Sequence, residues 1–494
     1  MIRNLLFSIL VISFITTNYS QTISAKLLDN ETKEPIPYAT IQFSDTDGVM
    51  SNEEGTFEFE INENQVLNDS IIISSLGYKT TKYLKESLPE ELFLIPEIYK
   101  IAPVVLSTNK MTAKEIIKEV KENLNKNYAV SYTQRNAFFR ETYKQQVKKL
   151  KIKLKKSTID NIDQNLFDTI VGKMPKDITS LLESYGETYT KDLTEGKVQL
   201  KKLMIVRSKQ EKTAMKAIQD DFLQALKENA KPNSYLIIKT GILRIDKTES
   251  IDSITKPKKP KTIKKGKELR MNTQKYRNQH FNTLLNDLVI NPDTRVNFLD
   301  KSYKYEFTKV GYVELEDDLV YVIDFKPKSK AKYKGKLYIH TKDFAIIKSE
   351  IQSAKPIFDK HFNLFGIKNN DLSFKNTNIF KKDSSGKYRT KYIKTEMISV
   401  NSMDRPFKII EKNKIVKGRN TQNKVSLRFV FSMYNTFTKE IVFNDGQSLS
   451  KAKYDAVKLN SDYKIGRFTA YNKDFWKGYK IITPEKAIQE LKID

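Results

Sequence analysis

The 494-residue chain contains no cysteine. That excludes disulfides, thiolate zinc sites, cysteine nucleophiles and lipid attachment to an N-terminal cysteine, so an exported form has to hold together by core burial alone. Histidine is nearly as scarce, with His280, His340 and His361 the whole supply. None begins an HxxE or HExxH pattern, and a zinc site would need carboxylates gathered from distant segments. With only 16 glycines, the chain shows no Walker loop, no Rossmann fingerprint and no G-x-S-x-G elbow. Asp45, Asp47, Glu53 and Glu54 lack calcium-loop spacing, and the scattered carboxylates single out no acid–base pair for glycoside hydrolysis. No catalytic residue, metal or cofactor is assigned. Beyond the first twenty residues, no apolar run approaches the roughly 20 residues of a membrane-spanning helix.

What the chain has in abundance is positive charge, unevenly placed. Residues 1–110 hold 8 Lys and Arg against 15 Asp and Glu, a net of −7; the whole carries +27, so residues 111–494 carry +34. A basic body points to an anionic partner such as anionic lipid, lipopolysaccharide or acidic polysaccharide, while a lysine-rich solvated surface explains the same numbers without any partner. Residues 1–20 have a basic start at Arg3, the apolar run LLFSILVISFI and small polar residues before Gln21, which is the pattern of a secretory signal peptide.

Residues 21–96 read as an antiparallel β-sandwich. Ala39, Ile41 and Phe43 alternate with Thr40 and Gln42, and Phe57, Phe59 and Ile61 alternate with Thr56, Glu58 and Glu60, so one face of each run is set for a core. The blocks KEPIPYATIQF, NEEGTFEFEI and IIISSLGYK, in that order, resemble the carboxypeptidase-regulatory-like module, a transthyretin-like sandwich of Bacteroidota envelope proteins. Ala25 stands where such modules often carry glycine. The resemblance implies an envelope protein with a contact module for a protein partner, and no peptidase activity.

Residues 97–110 read as a linker, and 111–290 as a mixed helical region. Thr112 and Glu115 form a capping box before a helix whose apolar face is Ile116, Ile117, Val120 and Leu124. Aromatic, strand-like residues follow around Phe138, Phe139, Arg140 and Glu141. That helix-plus-FFRE arrangement resembles an envelope family whose longer members end in an outer-membrane barrel; this chain reads as a short form without one. From Pro175 to Asn229 the period turns helical, with Ile178, Leu181, Leu182 and Tyr185 as one stripe and Met215, Ile218, Phe222 and Leu226 as another.

Two lysine-rich segments are the candidate ligand contacts. In KLKIKLK, Lys149, Lys151 and Lys153 alternate with Leu150, Ile152 and Leu154: either a line of charge for an anionic surface, or an edge strand protected from aggregation, the reading that ranks first. In the loop 256–267, seven lysines in twelve residues, Lys258, Lys259, Lys261, Lys264 and Lys265 among them, are set for a polyanion such as lipid head groups. Nucleic acid is not the expected partner, because no aromatic platform accompanies the lysines.

Residues 291–494 read as an antiparallel β domain, possible as a half-open barrel, closed by a short helix after Thr483-Pro484. LVYVIDFKPK and YKGKLYIHTKDFAIIKSE resemble strands of LolA- and LolB-like lipoprotein carriers, half-open barrels that hold acyl chains. The fold class expected is therefore α+β and mostly β. The function expected is that of a non-enzymatic exported envelope protein, in the periplasm or at the outer membrane, whose basic sheet binds an anionic or lipidic ligand. The alternatives are an envelope hydrolase acting on carbohydrate or peptide, and a structural subunit of an outer-membrane assembly.

Overall fold

A computed structural model describes residues 21–493 except 45–46, 62–68, 101–110, 129–130, 194, 209–221, 223, 227, 242, 248–263, 317, 329, 358–361, 365 and 417–419. Two compact units are present. One comprises the described residues up to Tyr99 with Val313–Asp318 and Trp476–Ile488, and the other the remainder.

In the first unit, β1 (Gln21–Asp29), β2 (Thr40–Ser44), β3 (Asp47–Met50), β4 (Thr56–Ile61), β5 (Ser70–Ser75), β6 (Tyr78–Leu84) and β7 (Glu91–Leu94) form two small sheets, ordered β4-β1-β7 and β3-β2-β5-β6. The expected alternation holds: Ala39, Ile41, Phe43, Phe57 and Phe59 are buried together with Ile71, Ile73, Leu92 and Leu94. Ala25 is in the same core. Gly55 turns the chain at φ +73°, where a β-carbon would also meet the Leu27 carbonyl 2.5 Å away. Lys480 pairs with Asp47, and the Lys486 N–H donates to Glu54 Oε2 at 2.9 Å, so the Trp476–Ile488 segment is tied to this unit by its acidic turns.

The second unit is built on one large curved mixed sheet. Its strands are β8 (Ile98–Lys100), β9 (Thr133–Ser157), β10 (Asp177–Thr190), β11 (Gly196–Val206), β12 (Ser234–Thr240), β13 (Leu243–Lys247), β14 (Tyr305–Leu315), β15 (Asp318–Pro327), β16 (Tyr333–His340), β17 (Ile346–Ser353), β18 (Phe362–Leu364), β19 (Ile367–Lys382), β20 (Tyr388–Asn413), β21 (Thr421–Ser448) and β22 (Lys464–Phe468). The path runs β22-β11-β10-β9-β21-β20-β19-β17-β16-β15-β14-β8, and β12 takes over from β19 beside the far end of β20. The sheet does not close into a barrel. At its centre Arg140 is buried between Glu183 of β10 at 2.6 Å and Glu440 of β21 at 3.1 Å, and Tyr392 of β20 donates to Glu440. Four strands are thus fastened in one row by charges that water does not reach.

The longest helices among the described residues are α1 (Ala113–Asn127), α2 (Gln164–Lys173) and α3 (Lys264–Asn286). Thr112 and Glu115 make the expected capping box on α1, whose Ile116, Ile117 and Val120 are buried while Leu124 is half-buried. The other two helices do an unusual job at strand edges. Along α3, Gln274, Asn278 and Asn282 recur every four residues, a rise of about 6 Å; alternate residues of a strand rise about 6.6 Å. Their amides therefore pair in step with the Gly196–Leu200 edge of β11, which lies before the stretch that β22 pairs. Asn282 accepts from Gly196 N and donates to Gly196 O, both at 2.9 Å; Asn278 accepts from Val198 N at 2.9 Å; Gln274 accepts from Leu200 N at 3.1 Å and donates to Val198 O. Gly196 has no side chain because a β-carbon there would run into the Phe281 ring of α3. On α2, Gln164 does the same for β9, accepting from Leu154 N at 2.8 Å and donating to Ile152 O at 2.9 Å.

Several expectations for 111–290 need correction. Asp177–Thr190 and Gly196–Val206 are strands, although Ile178, Leu181, Leu182 and Tyr185 are spaced like a helical stripe. Tyr185 and Leu181 face one side of the sheet while Ser184 is buried on the other; a strand covered on both faces loses the alternation that identifies it. The region is accordingly a mixture of long strands and helices. Phe222 and Leu226 do pack in a core, with Phe167 of α2, whereas Met215 and Ile218 lie outside the described residues. Lys264 and Lys265 belong to the first turn of α3, not to a loop, and Lys258, Lys259 and Lys261 lie outside the described residues.

If the amide ladder holds the edge, replacing Gln274 by leucine strands a buried N–H and a buried C=O. Urea denaturation of Gln274→Leu should show a loss of about 2–4 kcal/mol. The neighbouring Lys275→Leu, at an exposed position, should stay within about 0.5 kcal/mol of the parent.

Candidate ligand-binding site

The site follows from the alternation of β21. Between Val425 and Phe443 the odd-numbered residues share one face, and pairing carries that face across β9 and β20. At one end α3 covers it, with Phe281 edge-on to Phe139 at 5.9 Å and 6.1 Å from Phe443. At the other end α2, with Phe222 and Leu226, covers Val425, Leu427 and Ile152. Between the two covers, Phe429, Phe431, Met433 and Phe437 of β21 stay half-exposed beside Tyr143 and Leu150 of β9 and Met397 and Met403 of β20. Phe437 is 37% exposed, and its ring lies 4.7 Å from that of Tyr143. This is an apolar strip rich in methionine and phenylalanine, side chains that adapt to irregular apolar surfaces.

The strip is interrupted by a polar row: Asn435 pairs with Gln145 of β9 and Ser399 of β20, and Asn401 of β20 lies opposite Met433. Asn435 is 2% exposed and accepts from the Tyr143 hydroxyl at 2.9 Å, while its Nδ2 has no hydrogen-bond partner among the described residues. A buried amide donor without a partner is costly, and it marks a place where a ligand oxygen would be welcome.

The strip ends at a charged cluster under α3. Glu141, two residues before Tyr143 on the same face, takes Arg277 Nη1 and His280 Nδ1 on one carboxylate oxygen, both at 2.8 Å, and the Tyr276 ring lies 3.8 Å from that of His280. Burial pushes the Glu141 carboxyl up, but Arg277, His280 and Lys439 outweigh it and hold it down at about 2. Asp287 is bonded to Arg295 at 2.8 Å; there burial wins, and its carboxyl is raised above the ordinary aspartate range. Lys439, opposite Glu141 and two residues from Phe437, is half-buried and makes no hydrogen bond or ion pair among the described residues. Burial lowers its amine, with Glu141 and Asp287 pulling the other way.

The residues singled out by lysine content are placed elsewhere. Lys149, Lys151 and Lys153 are exposed and pair with Ser432, Val430 and Arg428, on the face opposite the strip, while Ile152 and Leu154 are in the α2 core. That half of β9 lies beyond the end of β10 and pairs with β21 alone among the described strands. His280 serves Glu141; His340 is buried and accepts from Asp343 N at 3.1 Å; His361 lies outside the described residues. The sequence reading missed the strip; the alternation in VSLRFVFSMYNTF was its signal, but nothing in that run names the partner residues on β9 and β20.

An open cavity of about 400 Å³ over β14 to β17 gathers Glu306, Asp324 and Glu350, the kind of carboxylate group a hydrolase would need. Each is matched by a lysine: Lys326 on Glu306 at 3.3 Å, Lys336 on Asp324 at 4.0 Å and Lys348 on Glu350 at 2.7 Å. The cavity's three carboxylates are thus each in an ion pair.

The Glu141 cluster has a pH signature. Its folded carboxyl lies below the ordinary 4.5, so the stability it contributes is full above pH 4.5 and is lost as pH falls toward about 2. Glu141→Gln should cost about 3 kcal/mol at neutral pH, because Arg277 is left buried without its counter-charge, and the gap from the parent should narrow on acidification below 4.5. Denaturant unfolding at a series of pH values reads both effects.

Among solved structures, the chain is similar to the LolA superfamily protein NE2245 from Nitrosomonas europaea, at 10% identity over 70% of this chain and 97% of that one, with a TM-score of 0.20. It is also similar to MucB, at 8% identity over 65% and 92% with a TM-score of 0.18, and to the MucA/MucB complex of Pseudomonas aeruginosa, at 7% over 70% and 97% with a TM-score of 0.16. These likenesses are weak. No curated protein sequence matches the chain. The sandwich, at residues 23–93, matches the model of the CarboxypepD_reg-like domain family.

Proposed function

We propose that the chain is an exported, non-enzymatic envelope protein whose large sheet binds an amphipathic lipid-like ligand, with the N-terminal sandwich as its contact for a protein partner. The observation that carries this reading is the half-exposed strip of Phe429, Phe431, Met433 and Phe437 that stops at the half-buried amine of Lys439. An apolar chain laid along the strip gains about 0.8 kcal/mol for each methylene it buries. An anionic head at the α3 end meets Lys439, whose carboxylate neighbours Glu141 and Asp287 are each already engaged with an arginine. Export is supported by the leader pattern of residues 1–20 and by the family of the sandwich. No described helix is long and apolar enough to cross a membrane.

A fluorescent fatty acid titrated into the full chain tests the reading. Binding should saturate, and Phe431→Asp should weaken it by about ten-fold or more. Lys439→Met should weaken the fatty acid but not a neutral amphiphile of equal chain length. Affinities that neither substitution changes, in proteins with parental circular dichroism, would remove the strip as the binding site.

A further inference from the structure

The polar row crosses the strip at one fixed place. Asn435 lies opposite Gln145 of β9 and Ser399 of β20, while its neighbours on the same face of β21, Met433 and Phe437, are apolar. The Tyr143 hydroxyl, 2.9 Å from Asn435 Oδ1 and 3.2 Å from Gln145 Oε1, sets the orientation of the amide, and Nδ2 is left without a partner among the described residues. What lies beside that amide is replaceable. Gln145 Nε2 donates to the Met433 sulfur, a weak acceptor, and Met433, Phe437 and Tyr143 are half-exposed.

Of the charges on this face, Lys439, Glu141, Asp287, Arg277 and Arg295 gather at the α3 end, and Arg405, bonded to Thr240, stands at the other, opposite Phe429. At the row itself, Asp371 of β19 is in register with Ser399. A carboxylate there disfavours a second anion, so the row suits a neutral oxygen.

Position narrows the chemistry further. Asn435 and Lys439 are four residues apart on a stretch of β21 without a register shift, about 13 Å at the rise of an antiparallel strand. A zigzag hydrocarbon chain advances about 1.25 Å per carbon, given bonds near 1.5 Å and angles of about 111°. An acyl chain whose carboxylate meets Lys439 therefore passes Asn435 at about its tenth carbon, a figure that the reach of the lysine side chain spreads over about eight to twelve. Beyond the row, Met433, Phe431 and Phe429 continue the strip for about 20 Å, enough for the rest of a long chain.

We infer that the ligand of this site is an acyl chain bearing a neutral oxygen, as a hydroxyl, keto or ester group, about ten carbons from its anionic head, and that Asn435 selects it. The inference rests on the reading of the strip as a lipid site. A site built to hydrogen-bond a ligand oxygen discriminates against the analogue that lacks it, because the polar group of the protein then stays buried and unpaired.

Displacement of a fluorescent fatty acid from the full chain by unlabelled octadecanoates tests this. The acid hydroxylated about ten to twelve carbons from its carboxylate should bind about five-fold tighter than the unsubstituted acid. The acid hydroxylated next to the carboxylate should show no such gain. In Asn435→Leu, close in size and unable to donate, the preference should reverse, since the hydroxyl loses its water and gains no partner. The variant is compared at parental circular dichroism, and the comparison of hydroxyl positions in the parent needs no variant. Equal affinities for the mid-chain hydroxy acid and the unsubstituted acid in the parent, or a preference that survives Asn435→Leu, would overturn the inference and leave the strip a lipid site. Failure of every acid to displace the probe would remove the lipid site and the inference with it.

Discussion

A sheet this large is limited by what happens to the backbone groups along its borders. Every unpaired N–H and C=O that is buried costs free energy, and every one left bare invites another strand. In this protein two stretches of border are met by side-chain amides: Gln274, Asn278 and Asn282 on β11, and Gln164 on β9. The near-match between four helical residues and two strand residues lets an α-helix act as the next strand for three successive residue pairs. Those contacts fix where α3 and α2 lie. They therefore fix which parts of the sheet face are covered and which stretch between them remains open to a ligand.

The same placement sets the electrostatics. Because α3 is held against β11, Arg277 and His280 are delivered to Glu141, and the charged end of the strip is assembled from a helix and two strands far apart in sequence. On the opposite face Arg140 joins Glu183 and Glu440. Two adjacent residues of the FFRE segment thus support two separate buried ion clusters, one on each side of the sheet. Such clusters add less net stability than their count suggests, but breaking one partner is expensive, which makes the arrangement specific.

How much of this was legible in the sequence depended on whether the signal was local. The sandwich alternation and the capping box at Thr112 and Glu115 are short-range and were read correctly. The FFRE segment stood out, but its role did not, since its partners lie as far as 300 residues away. Residues 177–190 were misread because a strand buried on both faces has no period of two. The amide ladder had a signal, Gln or Asn every four residues in a lysine-rich helix, yet nothing in the helix says that a strand edge lies beside it.

The separation of Arg140 from Glu440 by 300 residues also says something about time. A chain made or exported from its N-terminus completes β9 long before β21 exists, and pairing over such a distance is slow because the loop-closure entropy has to be met first. During that interval one side of β9 is an open template. The residues on its far half are KLKIKLK, in which every second side chain is a lysine. Charge of that density disfavours pairing with a second copy of the same strand, a consideration that applies to the unfinished chain as well as to the finished one.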